Sequence, residues 1–143
     1  MSVVGIGLHR PIDEKNVGAV LRAAMCYRAN MVAFTGKPYK RACTDTSAGY
    51  RHIPLLNVAD LRDALPFDVV PVAVDLVDDA TPLPAYRHPR SAFYVFGPEN
   101  GTLGQNVLSW CRDRVMIPTQ FCMNLAATVN VVLYDRMSKE RGR

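Results

Sequence analysis

Three short segments of this chain carry polar residues at spacings that can do chemistry. The first is Asn16 to Arg22, an asparagine and an arginine set into an otherwise apolar run. The second reads Phe96-Gly97-Pro98-Glu99-Asn100-Gly101, an apolar strand breaking into a turn built to expose backbone amides. The third is Ile117-Pro118 followed by Cys122-Met123-Asn124-Leu125, where one strand stops at a proline and a long apolar helix opens. Two strands that end in polar loops beside one helix start form a concave site for a small ligand at a sheet edge. The glycines do not spell G-x-G-x-x-G and no P-loop Lys-Ser/Thr pair follows them, so a nucleotide-phosphate cradle is not indicated. On the residues alone, Glu99 either orients polar groups at that site or is a solvated turn residue. In the same way, Asn124 reads as a helix cap and Arg22 as a cation reaching water over an apolar surface.

A fourth segment, Lys37 to His52, interleaves Lys37, Lys40, Arg41, Arg51 and His52 with Tyr39 and Tyr50. Cations contact phosphates, and tyrosines stack on unpaired bases, as in proteins that hold single-stranded RNA. The bland alternative is a solvated charged loop. A net charge of +4 permits a polyanionic partner without requiring one.

These segments sit on a regular alternation of elements. Strands are expected at Val3 to Leu8, Met31 to Thr35, Val69 to Asp75, Ala92 to Phe96 and Arg114 to Ile117. Helices are expected from Asn16 to Tyr27, over VADLRDAL behind an Asn57 cap, near Gln105 to Cys111, and from Asn124 onward. Asp78 to Arg90, with Pro82, Pro84 and Pro89, reads as a surface connection. Apolar strands alternating with helices predict one α/β domain over residues 1–143, a mainly parallel sheet with helices on both faces. Asn16 and Arg22 are six residues apart, about 600° around a helix, and so fall on different faces. From Leu125 to Tyr134 only Thr128 and Asn130 are polar. A helix without a polar face needs cover on more than one side, which points to a second protomer anchored on Val129, Val132 and Leu133.

Other classes are disfavoured. Cys26, Cys43, Cys111 and Cys122 form no C-x-x-C pair and the three histidines are dispersed, so no metal site is expected. The cysteines read as reduced, mostly buried thiols. No apolar run approaches a membrane span, and the start lacks a basic segment before its apolar stretch, so the expected location is the cytoplasm.

Taken in order, the segments resemble three motifs of the TrmH-like branch of the SPOUT RNA methyltransferases. Asn16-Val17-Gly18-Ala19-Val20-Leu21-Arg22 is similar to motif 1, Phe96-Gly97-Pro98-Glu99 to motif 2, and Cys122-Met123-Asn124-Leu125 to motif 3. The resemblance spans Val3 to Asp135 and is closest to the minimal TrmL-like tRNA 2′-O-ribose methyltransferases. It implies a carboxy-terminal deep trefoil knot, an obligate homodimer, and S-adenosylmethionine held by Phe96, Gly97, Glu99, Gly101, Ile117, Asn124 and Leu125. It implies Arg22, Asn16 and Asn124 as catalytic residues, and methyl transfer to a ribose 2′-hydroxyl of RNA, with tRNA the favoured substrate. Lys37, Lys40, Arg41, Arg51 and His52 would then contact that RNA. Cys122 and Ala126 stand where the family usually has serines, which keeps an RNA-binding protein without catalysis in play. A small-ligand-binding α/β module remains the third reading.

Overall fold

Parallel strands cannot be joined by tight hairpins, so each pair in this chain is separated by a crossover segment. In the computed structural model, which describes residues 2–142, strand β1 (Val4–Leu8) sits near the middle of the sheet. It pairs with β2 (Met31–Phe34) on one side and β6 (Ala92–Phe96) on the other. Strand β3 (Leu55–Asn57) extends the sheet beyond β2. On the far side β4 (Val70–Val74) pairs with β6, β7 (Asp113–Met116) with β4, and the two-residue β5 (Thr81–Pro82) with β7. The order is β3-β2-β1-β6-β4-β7-β5, and every pairing among the described residues is parallel.

Helices α1 (Glu14–Cys26) and α3 (Leu125–Arg141) pack together on one face, over Ile6, Leu8, Val72, Tyr94 and Phe96. The other face carries the short helix α2 (Gln105–Leu108) and a 3-10 turn at Leu61–Ala64, over Ala33, Ala73, Phe93 and Val95. Strand alternation sends neighbouring residues to opposite faces, so Phe93 and Tyr94 are both fully buried, each in its own cluster. Gly5 and Gly7 exist for Phe93. A Cβ on either would come within 2.5 Å or 2.6 Å of its ring carbons.

Four expectations need correction. Asn57 caps no helix; Leu55, Leu56 and Asn57 pair with β2 instead, and the following segment makes only the 3-10 turn, capped by the Asp60 carboxylate on the Arg62 N–H. Ladder pairing outcompeted a local cap. The Asp78 to Arg90 connection is not merely surface, because Leu83, Tyr86 and His88 are buried within it. Of the four cysteines only Cys111 is buried; Cys26, Cys43 and Cys122 are exposed. Finally, Val129, Val132 and Leu133 are buried inside their own chain, against α1 and the sheet, so they cannot anchor a partner. The outward apolar residues of α3 are Ala127, Val131 and Tyr134.

The carboxy-terminal half of α3 is fastened by buried polar bonds that no sequence pattern announced. Arg136, 4% exposed, donates to the carbonyls of Pro89 (2.7 Å) and Arg90 (2.6 Å) and to the Tyr94 hydroxyl (3.0 Å). The His88 ring bridges Tyr94 Oη and Asp135 Oδ2, each at 2.7 Å. The chain is satisfied in one sense: Tyr94 donates to Nδ1, and Nε2–H donates to Asp135. That sense needs a neutral ring. Burial, aided by the nearby Arg136 and Lys139 cations, holds His88 below the ordinary histidine range against the pull of Asp135. Burial also pushes the Tyr94 phenol up to about 12.

Candidate functional site

The carboxyl ends of three adjacent strands, β4, β6 and β7, open onto a pocket of about 500 Å³. Its floor is Val74 and Phe96, the last residues of β4 and β6. One wall is the turn from Gly97 to Thr102; the other is Ile117, Thr119, Cys122 and Met123 after β7. The first turn of α3 closes it with Leu125 and Thr128. Parallel strands place such loops on a single edge of the sheet, which is why these distant segments meet there.

The glycine turn is folded back on itself. A Cβ at Gly97 would lie 3.2 Å from the Leu103 nitrogen and 3.3 Å from the Thr102 carbonyl carbon. Gly97 is therefore small for the sake of the opposite arm of its own loop. Asp75 holds that arm: its carboxylate accepts from the N–H of Leu103 (3.0 Å) and of Leu76 (2.9 Å). Glu99 ties the turn to the entry of α1, accepting from the backbone N–H groups of Ile12 (2.9 Å) and Asp13 (3.0 Å). Gly101 has no such constraint, as a Cβ there would make only an ordinary 3.6 Å contact with Pro98.

Of the residues singled out from sequence, Phe96, Gly97, Glu99, Gly101, Ile117 and Leu125 line this pocket. Asn124 does not line it. Its side-chain oxygen caps α3, accepting from Ala126 N (2.9 Å), and its amide donates to Asn16 Oδ1 at 2.9 Å. The capping reading and the motif reading thus coexist, because one end of the amide serves each. Asn16 and Asn124, 108 positions apart, join the start of α1 to the start of α3. Arg22 also lies outside the pocket. Its guanidinium is exposed and donates to Thr46 Oγ1 at 2.8 Å.

Gly18 explains how that bond forms. A Cβ at Gly18 would clash with Thr44 Oγ1 and stand 3.0 Å from the Asp45 nitrogen. Without it, the loop after β2 lies directly along α1, and Thr44 Oγ1 donates to the Lys15 carbonyl at 2.6 Å. Asp45, 2% exposed, organises the loop interior by accepting from Gly49 N (2.6 Å) and from the Tyr39 hydroxyl (3.3 Å). Around this core Lys37, Lys40, Arg41, Arg51 and His52 are all exposed.

Sequence reasoning missed Asp75 and Thr128 as pocket residues. Asp75 directly follows β4 and had no motif around it; its position there became visible only once β4 was seen between β6 and β7. Ala126, at a position where the resemblance has serine, is buried in the first turn of α3, whereas Cys122 borders the pocket. Among the described residues no group of three or more His, Cys, Asp or Glu side chains could hold a metal ion. No helix among them is long and apolar enough to cross a membrane.

Known structures share this fold. The SpoU methyltransferase AviRb from Streptomyces viridochromogenes, solved with the cofactor AdoMet, superposes with a TM-score of 0.83 at 16% identity, over 98% of this chain and 58% of that one. This chain therefore spans less than two thirds of AviRb's length. A structure described as giving insight into 2-OH methylation of C/U34 on tRNA superposes at 0.80 with 23% identity, covering 99% of both chains. The TrmH/SpoU tRNA modifying enzyme of A. aeolicus superposes at 0.85 with 16% identity, over 99% of this chain and 78% of that one. Comparison with curated proteins finds no match. The family model of the SpoU rRNA methylases matches residues 4–134. The chain accordingly belongs to the SpoU rRNA methylase family.

Proposed function

We propose that this protein is a cytoplasmic, homodimeric, S-adenosylmethionine-dependent RNA 2′-O-methyltransferase whose substrate is tRNA. The observation that carries the reading is the charge of the pocket. Among the described residues its lining includes two carboxylates, Asp75 and Glu99, and no lysine, arginine or histidine. Such walls repel a phosphorylated ligand and favour a cationic one. S-adenosylmethionine carries a sulfonium cation, a flat purine and no phosphate, and a volume of about 500 Å³ suits a ligand of that class.

S-adenosylmethionine supplies the methyl group, on a sulfur that leaves as a neutral thioether. The residues fit it in named places. Ile117 and Leu125 offer apolar walls, and the turn from Gly97 to Gly101 offers backbone groups. Asp75 fixes the turn that must grip it. The accepting ribose hydroxyl has to be polarised or deprotonated on the RNA side. Arg22 is the group we assign there, with Asn16 and Asn124 fixing the approach of α1 to α3. The AdoMet-bound AviRb structure and the tRNA methylation structure support the reading by their shared fold.

The dimer and the trefoil knot belong to the same proposal. The outward stripe of α3, Ala127, Val131 and Tyr134, together with exposed Phe121 (84%), is the apolar surface such a dimer would cover. Sedimentation equilibrium at micromolar concentration should show a dimer; a monomer removes this part. The test of the activity is ribose methylation of RNA, read by mass spectrometry in strains with and without the gene, backed by methyl transfer to bulk tRNA in vitro. RNA binding without transfer would establish the second reading, a non-catalytic RNA-binding protein, which Cys122 at the pocket border favours.

Gly97→Val is expected to abolish S-adenosylmethionine binding by calorimetry while the thermal transition persists. The added methyls press on the backbone of Thr102 and Leu103, so they spread the two arms of the turn instead of plugging the cavity. Unchanged affinity would place the ligand elsewhere.

A further inference from the structure

The same sheet edge carries a second concavity of opposite electrical character. It is a groove of about 540 Å³ along β3 and the end of β2, lined by Phe34, Tyr39, Arg41, Tyr50, Leu55 and Asn57. No carboxylate lines it, and Lys37, Lys40, Arg51 and His52 stand exposed on the loop that forms its outer wall. We propose that this groove is a subsite for an unpaired nucleobase of the RNA substrate, stacked on Tyr50 with its flanking phosphates on the loop cations. The proposal rests on the RNA reading above and adds to it a single-stranded element that the substrate must present.

The groove is built to keep its shape. Phe34, Leu55 and Asn57 belong to paired strands. Tyr39 and Arg41 are both fastened to Asp45, the first through its hydroxyl to the carboxylate and the second through Nε to the carbonyl, each at 3.3 Å. Tyr50 sits in the 3-10 turn Gly49–Arg51, whose first N–H is held by the same carboxylate at 2.6 Å. The Arg51 guanidinium lies over the Tyr50 ring, 5.7 Å from its centroid. A nucleotide in a strand has a flat base with two stacking faces and a charged phosphate backbone, and a fixed aromatic ring beside several cations matches both. Polar Asn57 gives the floor a group able to meet a base edge.

Position argues that the base is not that of the reacting nucleotide. The groove centres between β3 and β2, and the pocket centres on β4. That is about three and a half strand spacings, roughly 17 Å at ~4.8 Å each. The base held in the groove is therefore a neighbour along the strand, and a continuous duplex would not release it.

Tyr50 is 37% exposed and its side chain makes no hydrogen bond among the described residues, so its replacement removes no buried polar contact. The experiment measures affinity for a single-stranded RNA loop and for a blunt RNA duplex, with Tyr50→Ala and Tyr50→Phe. Tyr50→Ala should weaken loop binding about ten-fold, the scale of one lost base stack. The slope of log affinity against log salt should not change, because a stack releases no counterions. Tyr50→Phe should restore binding, and duplex binding should be unmoved by either change. Equal affinity in Tyr50→Ala, an equal loss in Tyr50→Phe, or absent loop binding by the unaltered protein overturns the subsite. If the subsite passes while the unaltered protein transfers no methyl group, the catalytic reading alone falls.

Discussion

Replacing Arg22 with alanine is expected to lower methyl transfer at least ~100-fold at saturating RNA while S-adenosylmethionine still binds. The magnitude is that of losing a group acting on a proton in the transition state. The geometry separates the two functions, because Arg22 stands outside the pocket and bonds only Thr46 among the described residues. An arginine is very hard to deprotonate, so the experiment must distinguish a proton acceptor from a phosphate anchor. A loss confined to transition-state stabilisation lowers the single-turnover rate and is not recovered by more RNA. Lys40→Ala is the contrast. Its exposed ammonium contributes to salt-dependent affinity, and excess RNA should restore the rate. Arg41 serves less well, since its Nε also holds the Asp45 carbonyl. If excess RNA rescues Arg22→Ala as it rescues Lys40→Ala, Arg22 only holds phosphate.

Arg136→Ala should cost about 3–5 kcal/mol of stability, the range for removing one member of a buried, charged hydrogen-bonded set. The Pro89 and Arg90 carbonyls and the Tyr94 hydroxyl lose this donor at once, and Glu140 loses its ion-pair partner. Arg136→Lys should recover only part of this, because an ammonium cannot span two carbonyls and a phenol as a planar fork does. Urea titration of both variants measures it. A loss under ~1 kcal/mol in Arg136→Ala would mean that water or a neighbour satisfies those acceptors.

The fold class and the pocket's two main walls could be read from the chain, for a physical reason. Apolar strands, a glycine turn and a proline stop are local signals, and the parallel sheet gathers them on one edge without further instruction. What could not be read depends on pairing between distant segments. Asn57 looks like a cap until β2 is seen beside it. Val129, Val132 and Leu133 look like interface residues because periodicity shows that a helix is apolar, not what covers it. His88 sits in a proline-rich segment that reads as loop, and only its bonds to Tyr94 and Asp135 show it to be interior. Asp75 is the same case at the site, since its partner Leu103 lies 28 positions along the chain.

Helix α3 is made after every strand, yet both of its ends complete structures begun long before. Its start supplies Leu125 and Thr128 to the pocket and the Asn124 bond to Asn16; its far half supplies Arg136 and Lys139 to the segment around Leu83 to Tyr94. Without α3, then, the sheet strands alone lack part of the pocket's lining and the Asn16–Asn124 bond. Contacts of such long sequence separation also form slowly. On the proposed function, ligand affinity therefore reports on the docking of α3, because Leu125 and Thr128 line the pocket only once that helix is seated.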